Sequence, residues 1–113
     1  MAISYAKFFQ PTLLTTSLVT IYTVPSVPPS TLLRNARVRL TNFTTLATTA
    51  RVHAVPSAGS ASTTNAFFYD VTVPADDYID VDLPILAAGD FIQALAGTAT
   101  SVNIQVISGG LFS

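Results

Sequence analysis

The chain has few side chains suited to chemistry: one histidine, His53, with no cysteine, glutamate or tryptophan. Without thiols there is neither a disulfide framework nor a thiolate metal site. His53 alternates with Arg51 on the outward face of a strand-like run. A Ser–His–Asp triad would also need a nucleophile on a strained turn, an orienting acid and an oxyanion hole. No G-x-S-x-G occurs, and Ala58-Gly59-Ser60 reads as a loop of small residues. The remaining candidates are Asp76, Asp77, Asp80, Asp82 and Asp90. Calcium takes several carboxylate and carbonyl oxygens from a flexible loop. Asp76 and Asp77 sit in a turn, but the DxDxDG spacing and its bidentate glutamate are absent. Asp80 and Asp82 share one strand face, as do Arg37 and Arg39, with Arg51 on a similar one. Cross-strand charge pairs, each worth well under ~1 kcal/mol, are the simpler reading. A glycosidase-type carboxylate pair needs a cleft for which an 11.9 kDa domain has little room. The expectation is a protein that is not an enzyme, with no catalytic residues, metal or cofactor.

Nucleic-acid binding would need a basic stripe interleaved with stacking aromatics. Arg34, Arg37, Arg39 and Arg51 cluster without such aromatics, and the net charge is −1, so no nucleic-acid partner is expected. Charged residues make up 10% of the chain, against about 25% in ordinary soluble domains. Apolar residues make up 50% and mean hydropathy is +0.53. Such a chain either enters a membrane or has a neutral surface partly covered by neighbours. The longest nearly apolar stretch, Leu83 to Ala88, is far below the ~20 residues of a spanning helix. The opening segment has Lys7, Gln10 and Pro11 where a signal peptide needs an unbroken apolar run. The strands alternate too loosely to favour a membrane barrel built from several copies, so no membrane partner is expected. Sixteen threonines and ten serines supply an uncharged β surface. The sequon Asn42-Phe43-Thr44 carries no weight without a signal peptide.

The elements that must position these residues read as strands. Ser17 to Val24 alternates and is stopped by Pro25, Pro28 and Pro29. Thr31 to Phe43 places Ala36, Val38 and Leu40 inward and Arg37, Arg39 and Thr41 outward. Thr48 to Val55 opposes Ala50, Val52 and Ala54 to Thr49, Arg51 and His53. Pro56 to Thr64 reads as a flexible loop. Asn65 to Val73 and Asp77 to Leu83 flank the turn at Pro74-Ala75-Asp76, and Phe67, Phe68 and Tyr69 put aromatics on both faces of the first. Ala87 to Asp90 turns into Phe91 to Ala96, Gly97 to Ser101 turns again, and a last strand through Val102, Ile104 and Val106 ends near Gly109-Gly110. Val-Pro pairs at Val24, Val55 and Val73 end strands at the rim. The pattern predicts an all-β fold: a single antiparallel β-sandwich, jelly-roll or Ig-like, of seven to eight strands. Residues 16–113 form the sandwich, and residues 1–15 are a docking arm or first strand.

Both ends are apolar. Ile3, Tyr5, Phe8, Phe9 and Leu13 near the start, and Leu111 and Phe112 near the end, are the candidate interface residues. Termini usually fray, so apolar termini imply something to dock on. With the low charge, this points to an oligomer or lattice component. Removing residues 2–14 is expected to leave a folded domain that no longer docks.

The order of segments resembles a class of small structural proteins of tailed bacteriophages and prophages. The resemblance runs through Thr20-Ile21-Tyr22-Thr23-Val24-Pro25, Leu40-Thr41-Asn42, Val55-Pro56-Ser57-Ala58-Gly59-Ser60-Ala61, Asn65-Ala66 and Val73-Pro74-Ala75. It is fullest at Leu86-Ala87-Ala88-Gly89-Asp90-Phe91-Ile92-Gln93-Ala94, and it covers about Thr16 to Ser108. It implies a virion component made in the bacterial cytoplasm: a capsid decoration or cement protein, a head-fibre module, or a tail-associated protein. Its partners would be copies of itself, a trimer being favoured, and the major capsid or other virion proteins. The resemblance supplies no catalytic residues. The other function weighed is a carbohydrate-binding, host-recognition module using Tyr69 or Tyr78 beside Asp and Asn groups; fold alone is weak warrant for it.

Overall fold

The computed structural model describes residues 3–5, 8–27 and 29–112. The strands are β1 (Ile3–Tyr5), β2 (Thr12–Leu13), β3 (Val19–Thr23), β4 (Leu32–Asn42), β5 (Thr48–Val55), β6 (Ala66–Val73), β7 (Asp77–Asp82), β8 (Leu86–Ala87), β9 (Phe91–Ala96) and β10 (Val102–Phe112). β4 runs for 11 residues and is kinked at Asn35, which adopts a left-handed φ of 56° that asparagine tolerates. That kink resets the alternation, so Leu33 and then Ala36, Val38 and Leu40 all reach the core.

The antiparallel pairings are nested. β5 pairs with β6, β4 with β7 outside them, β3 with β9 outside those, and β1 and β2 both with β10 outermost. Such a nest is one long hairpin. It rolls into two sheets when β4 zips against β10 and β5 against β9. The resulting orders are β1-β10-β4-β7, with β2 and β8 alongside, and β3-β9-β5-β6. Of the two sandwiches the sequence left open, this winding is the jelly roll. The seven strands of five or more residues match the sequence reading; β1, β2 and β8 are short additions to the first sheet. The run through β6 and β7 is a corner, since its two strands lie in different sheets.

Between the sheets, Val38, Leu40, Val102 and Ile104 of one meet Ala50, Val52, Ile92, Ala94 and Ala96 of the other, all buried. Bulk on one side and alanines on the other let the layers approach closely. The described part of the first fifteen residues belongs to this sandwich. β1 and β2 form an edge of the first sheet, Phe9 and Leu14 are buried, and Phe8 packs edge-on against Phe9 and Tyr22 at ring distances of 5.2 and 5.0 Å. β10 does not stop at its glycines, as the sequence had implied, but continues to Phe112. Gly109 is needed there because a Cβ would lie 2.6 Å from Phe8 Cε1.

Candidate contact surface

The loop between β4 and β5 is held by a buried asparagine. Asn42 is 0% exposed and completes four hydrogen bonds. Its Nδ2 donates to the carbonyls of Leu46 (2.9 Å) and Val73 (3.2 Å), and its Oδ1 accepts from the Thr44 amide (2.9 Å) and hydroxyl (2.7 Å). A buried amide with every group satisfied rigidifies what it bonds. The Asp76 amide adds a bond to Thr44 O at 2.9 Å. On this braced loop Phe43 is 48% and Leu46 77% exposed. Half-exposed Leu13 lies at the same end of the sandwich, since it pairs with Asn103, which pairs with Thr41. Large apolar groups presented to water on a rigid loop form a surface suited to contact.

The charges on the outer sheet faces are largely neutralised within the chain. Arg39 makes a bidentate pair with Asp80 (2.8 and 3.1 Å) and lies 4.0 Å from the Tyr78 ring centroid. On the other sheet Arg51 pairs with Asp70 (3.1 and 2.8 Å) and lies 4.1 Å from the Tyr69 ring. Hydrogen bonding from each guanidinium holds its aspartate below the usual carboxylate range. Arg37 reaches Asp82 at 3.3 Å. The cross-strand pairing expected for Arg37 and Arg39 is therefore present. Asp70, absent from the acidic set read in the sequence, reaches Arg51 because the register through Thr49–Thr72 and Ala50–Val71 sets the two opposite each other, just before β6 bulges with Asp70 at φ 50°.

His53 points outward from β5 as expected, yet it is only 3% exposed. The loop from Pro56 to Asn65 is not a loose connection, because it closes over this face through hydrogen bonds. Asn65 Oδ1 accepts from the Ser62 amide (3.0 Å) and its Nδ2 donates to Ser60 O (2.9 Å). The Asn65 atom 3.0 Å from His53 Nδ1 is thus an acceptor, so Nδ1 carries the proton. His53 Nε2 is buried without a hydrogen-bond partner among the described residues. The imidazole braces a loop. The far end of that loop is tied down where Asp90 accepts from the amides of Ser57 and Ala87, each at 2.9 Å.

Of the interface residues expected from the sequence, Phe9 belongs to the chain's own core, and Phe8 and Leu111 pack against it. Phe112 lies beneath Arg34 at 5.1 Å, and Leu13 is half exposed. The backbone of Ile3 and Tyr5 pairs with Phe112 and Gly110, and their side chains lie outside the described residues. Phe43 and Leu46 were missed. Their signal was the Asn42-Phe43-Thr44 triplet, an Asx-turn pattern read only as a sequon. Among the described residues, no three His, Asp or Glu side chains gather where they could share a metal ion.

No family model matches the chain, and no curated protein is significantly similar to it.

Proposed function

We propose that this chain is a non-enzymatic structural protein of a tailed-phage virion, a capsid decoration or head-fibre subunit that works as a homo-oligomer. The observation that carries the reading is the Asn42-braced loop, which holds Phe43 and Leu46 in water. The fold adds support by analogy, since jelly rolls recur in viral capsid and lectin domains. The charge arrangement adds more. Three arginines are spent on aspartates of the same chain, leaving few unpaired charges on the surface that a neighbour would cover. Burying the loop contributes at about 25 cal/mol per Å² of apolar surface. To test this, the tagged chain is expressed in its producing host and particles are banded on a density gradient. The protein is expected to band with particles at a fixed copy ratio, and Leu46→Ser to stay in the soluble fractions. Absence of the wild-type chain from every particle band would contradict the reading.

A second reading, glycan binding, rests on half-exposed Tyr69 and Tyr78. In each trio a guanidinium already lies over the ring, so one face at most remains for a sugar. Hits on a glycan array that disappear with Tyr78→Ala would favour this reading instead.

A further inference from the structure

Three of the four arginines are neutralised by aspartates within the chain, and the carboxylate of Asp90 is held by two backbone amides. Among the described residues this leaves Arg34 without a carboxylate partner, and Asp76 and Asp77 without a cationic one. These unspent charges lie at opposite ends of the molecule. Asp77 pairs with Asn42 at the end of β4, and Arg34 lies eight residues earlier on the same strand, or roughly 26 Å away at ~3.3 Å per residue. Each end also carries exposed apolar surface. Beside the aspartates stand Phe43 and Leu46. Next to Arg34, by the Leu33–Leu86 register, is Ile85, 64% exposed, on the wall of a pocket of about 480 Å³ shared with Asn35, Arg37, Asp82, Leu83, Pro84 and Ser108, in which Arg37 and Asp82 neutralise each other. One end is apolar and acidic; the other holds a partly apolar pocket with Arg34 beside it as the unpaired charge.

We infer that copies of this chain associate head to tail, the Phe43–Leu46 loop of one entering the Ile85 pocket of the next, with Asp76 and Asp77 facing Arg34. The inference names the partner of the contact loop and rests on the reading of that loop as a contact surface. A surface projection that fits a pocket elsewhere on the same molecule makes a heterologous contact, which closes into a ring when the rotation allows and otherwise extends. At two of the sheet edges strand addition is discouraged: β6 has two register shifts and β7 carries three aspartates in six residues. The charges select the pairing of unlike ends, because two acidic ends brought together repel.

The test is sedimentation velocity of the purified full-length chain over a dilution series. Wild-type protein is expected to form reversible assemblies. Leu46→Ser, Ile85→Ser, Arg34→Asp and the double variant Asp76→Lys/Asp77→Lys are each expected to weaken them at least tenfold. Mixing Arg34→Asp with the double lysine variant restores assembly, since every junction in an alternating array is then oppositely charged. That rescue also shows that both variants are folded. Wild-type protein that stays monomeric throughout, or assemblies indifferent to Ile85→Ser and Arg34→Asp, would overturn the inference. If Leu46→Ser alone disperses the assemblies, the head-to-tail contact is wrong while the loop remains a contact surface.

Discussion

Asn42 concentrates more of the structure in one side chain than any other polar residue described. It closes the β4–β5 loop, ties that loop to the end of β6 and sits wholly inside the protein. Asn42→Ala leaves the carbonyls of Leu46 and Val73 and the Thr44 amide short of a partner. Unfolding in urea should show a loss of about 2 to 3 kcal/mol, and hydrogen exchange at Thr44 should speed up. A midpoint shift within error of zero would mean that water replaces the amide and that the loop is not rigidly held. Burial of Asn42 was not legible in the sequence, because an asparagine at a strand end looks the same whether it faces solvent or the core. His53 hid its role for the opposite reason: its outward place on β5 was legible, but the loop that covers it is a tertiary feature.

Among the strands, alternation carried the reading a long way. It placed Arg37 and Arg39 on the face that meets Asp82 and Asp80, because a period of two fixes the face once the core residues are known. It failed where the chain leaves that period. The left-handed residues Asn35 and Asp70 insert bulges, and no residue type announces a bulge by itself. The paired aspartates imply a pH dependence. The carboxyl groups of Asp70 and Asp80 titrate below their unfolded value in the native state. Each therefore contributes stability that is fully present above the unfolded value of about 4 and is lost as pH falls through the lower folded one. The urea midpoint should decline below about pH 4. In Asp70→Asn/Asp80→Asn the midpoint should be lower at neutral pH, and its acid decline shallower. An identical acid limb in both proteins would show that these pairs do not couple to folding.

On the scale of the whole molecule, the sandwich was legible from Val, Ile and Thr alternation, whereas the winding was not. Strand order depends on which distant strands zip together, and both the Ig-like and jelly-roll orders satisfy the same local pattern. The N-terminal segment shows what the missing topology conceals. Its apolar residues read as a docking arm or a first strand; Phe9 and Leu14 are core and β1 and β2 pair with β10, which fits the second of these. Removing residues 2–14 should therefore open the core. Buried leucine or phenylalanine truncations cost about 2–5 kcal/mol each, and a domain of this size has only about 5–15 kcal/mol to lose. Thermal unfolding of the truncated chain should lose cooperativity or shift down by well over ten degrees. An unchanged transition would return the segment to the role of a detachable arm.

The protein is proposed to work by being built into an assembly through the Asn42-braced loop. Hydroxyl-radical footprinting, read by mass spectrometry on the free chain and on particles that carry it, tests this at single residues. Phe43 and Leu46 are expected to lose most of their labelling on assembly while Tyr69 and Tyr78 keep theirs. Unchanged labelling of Phe43 and Leu46, with protection at the two tyrosines, would contradict the account and place the contact on the sheet faces.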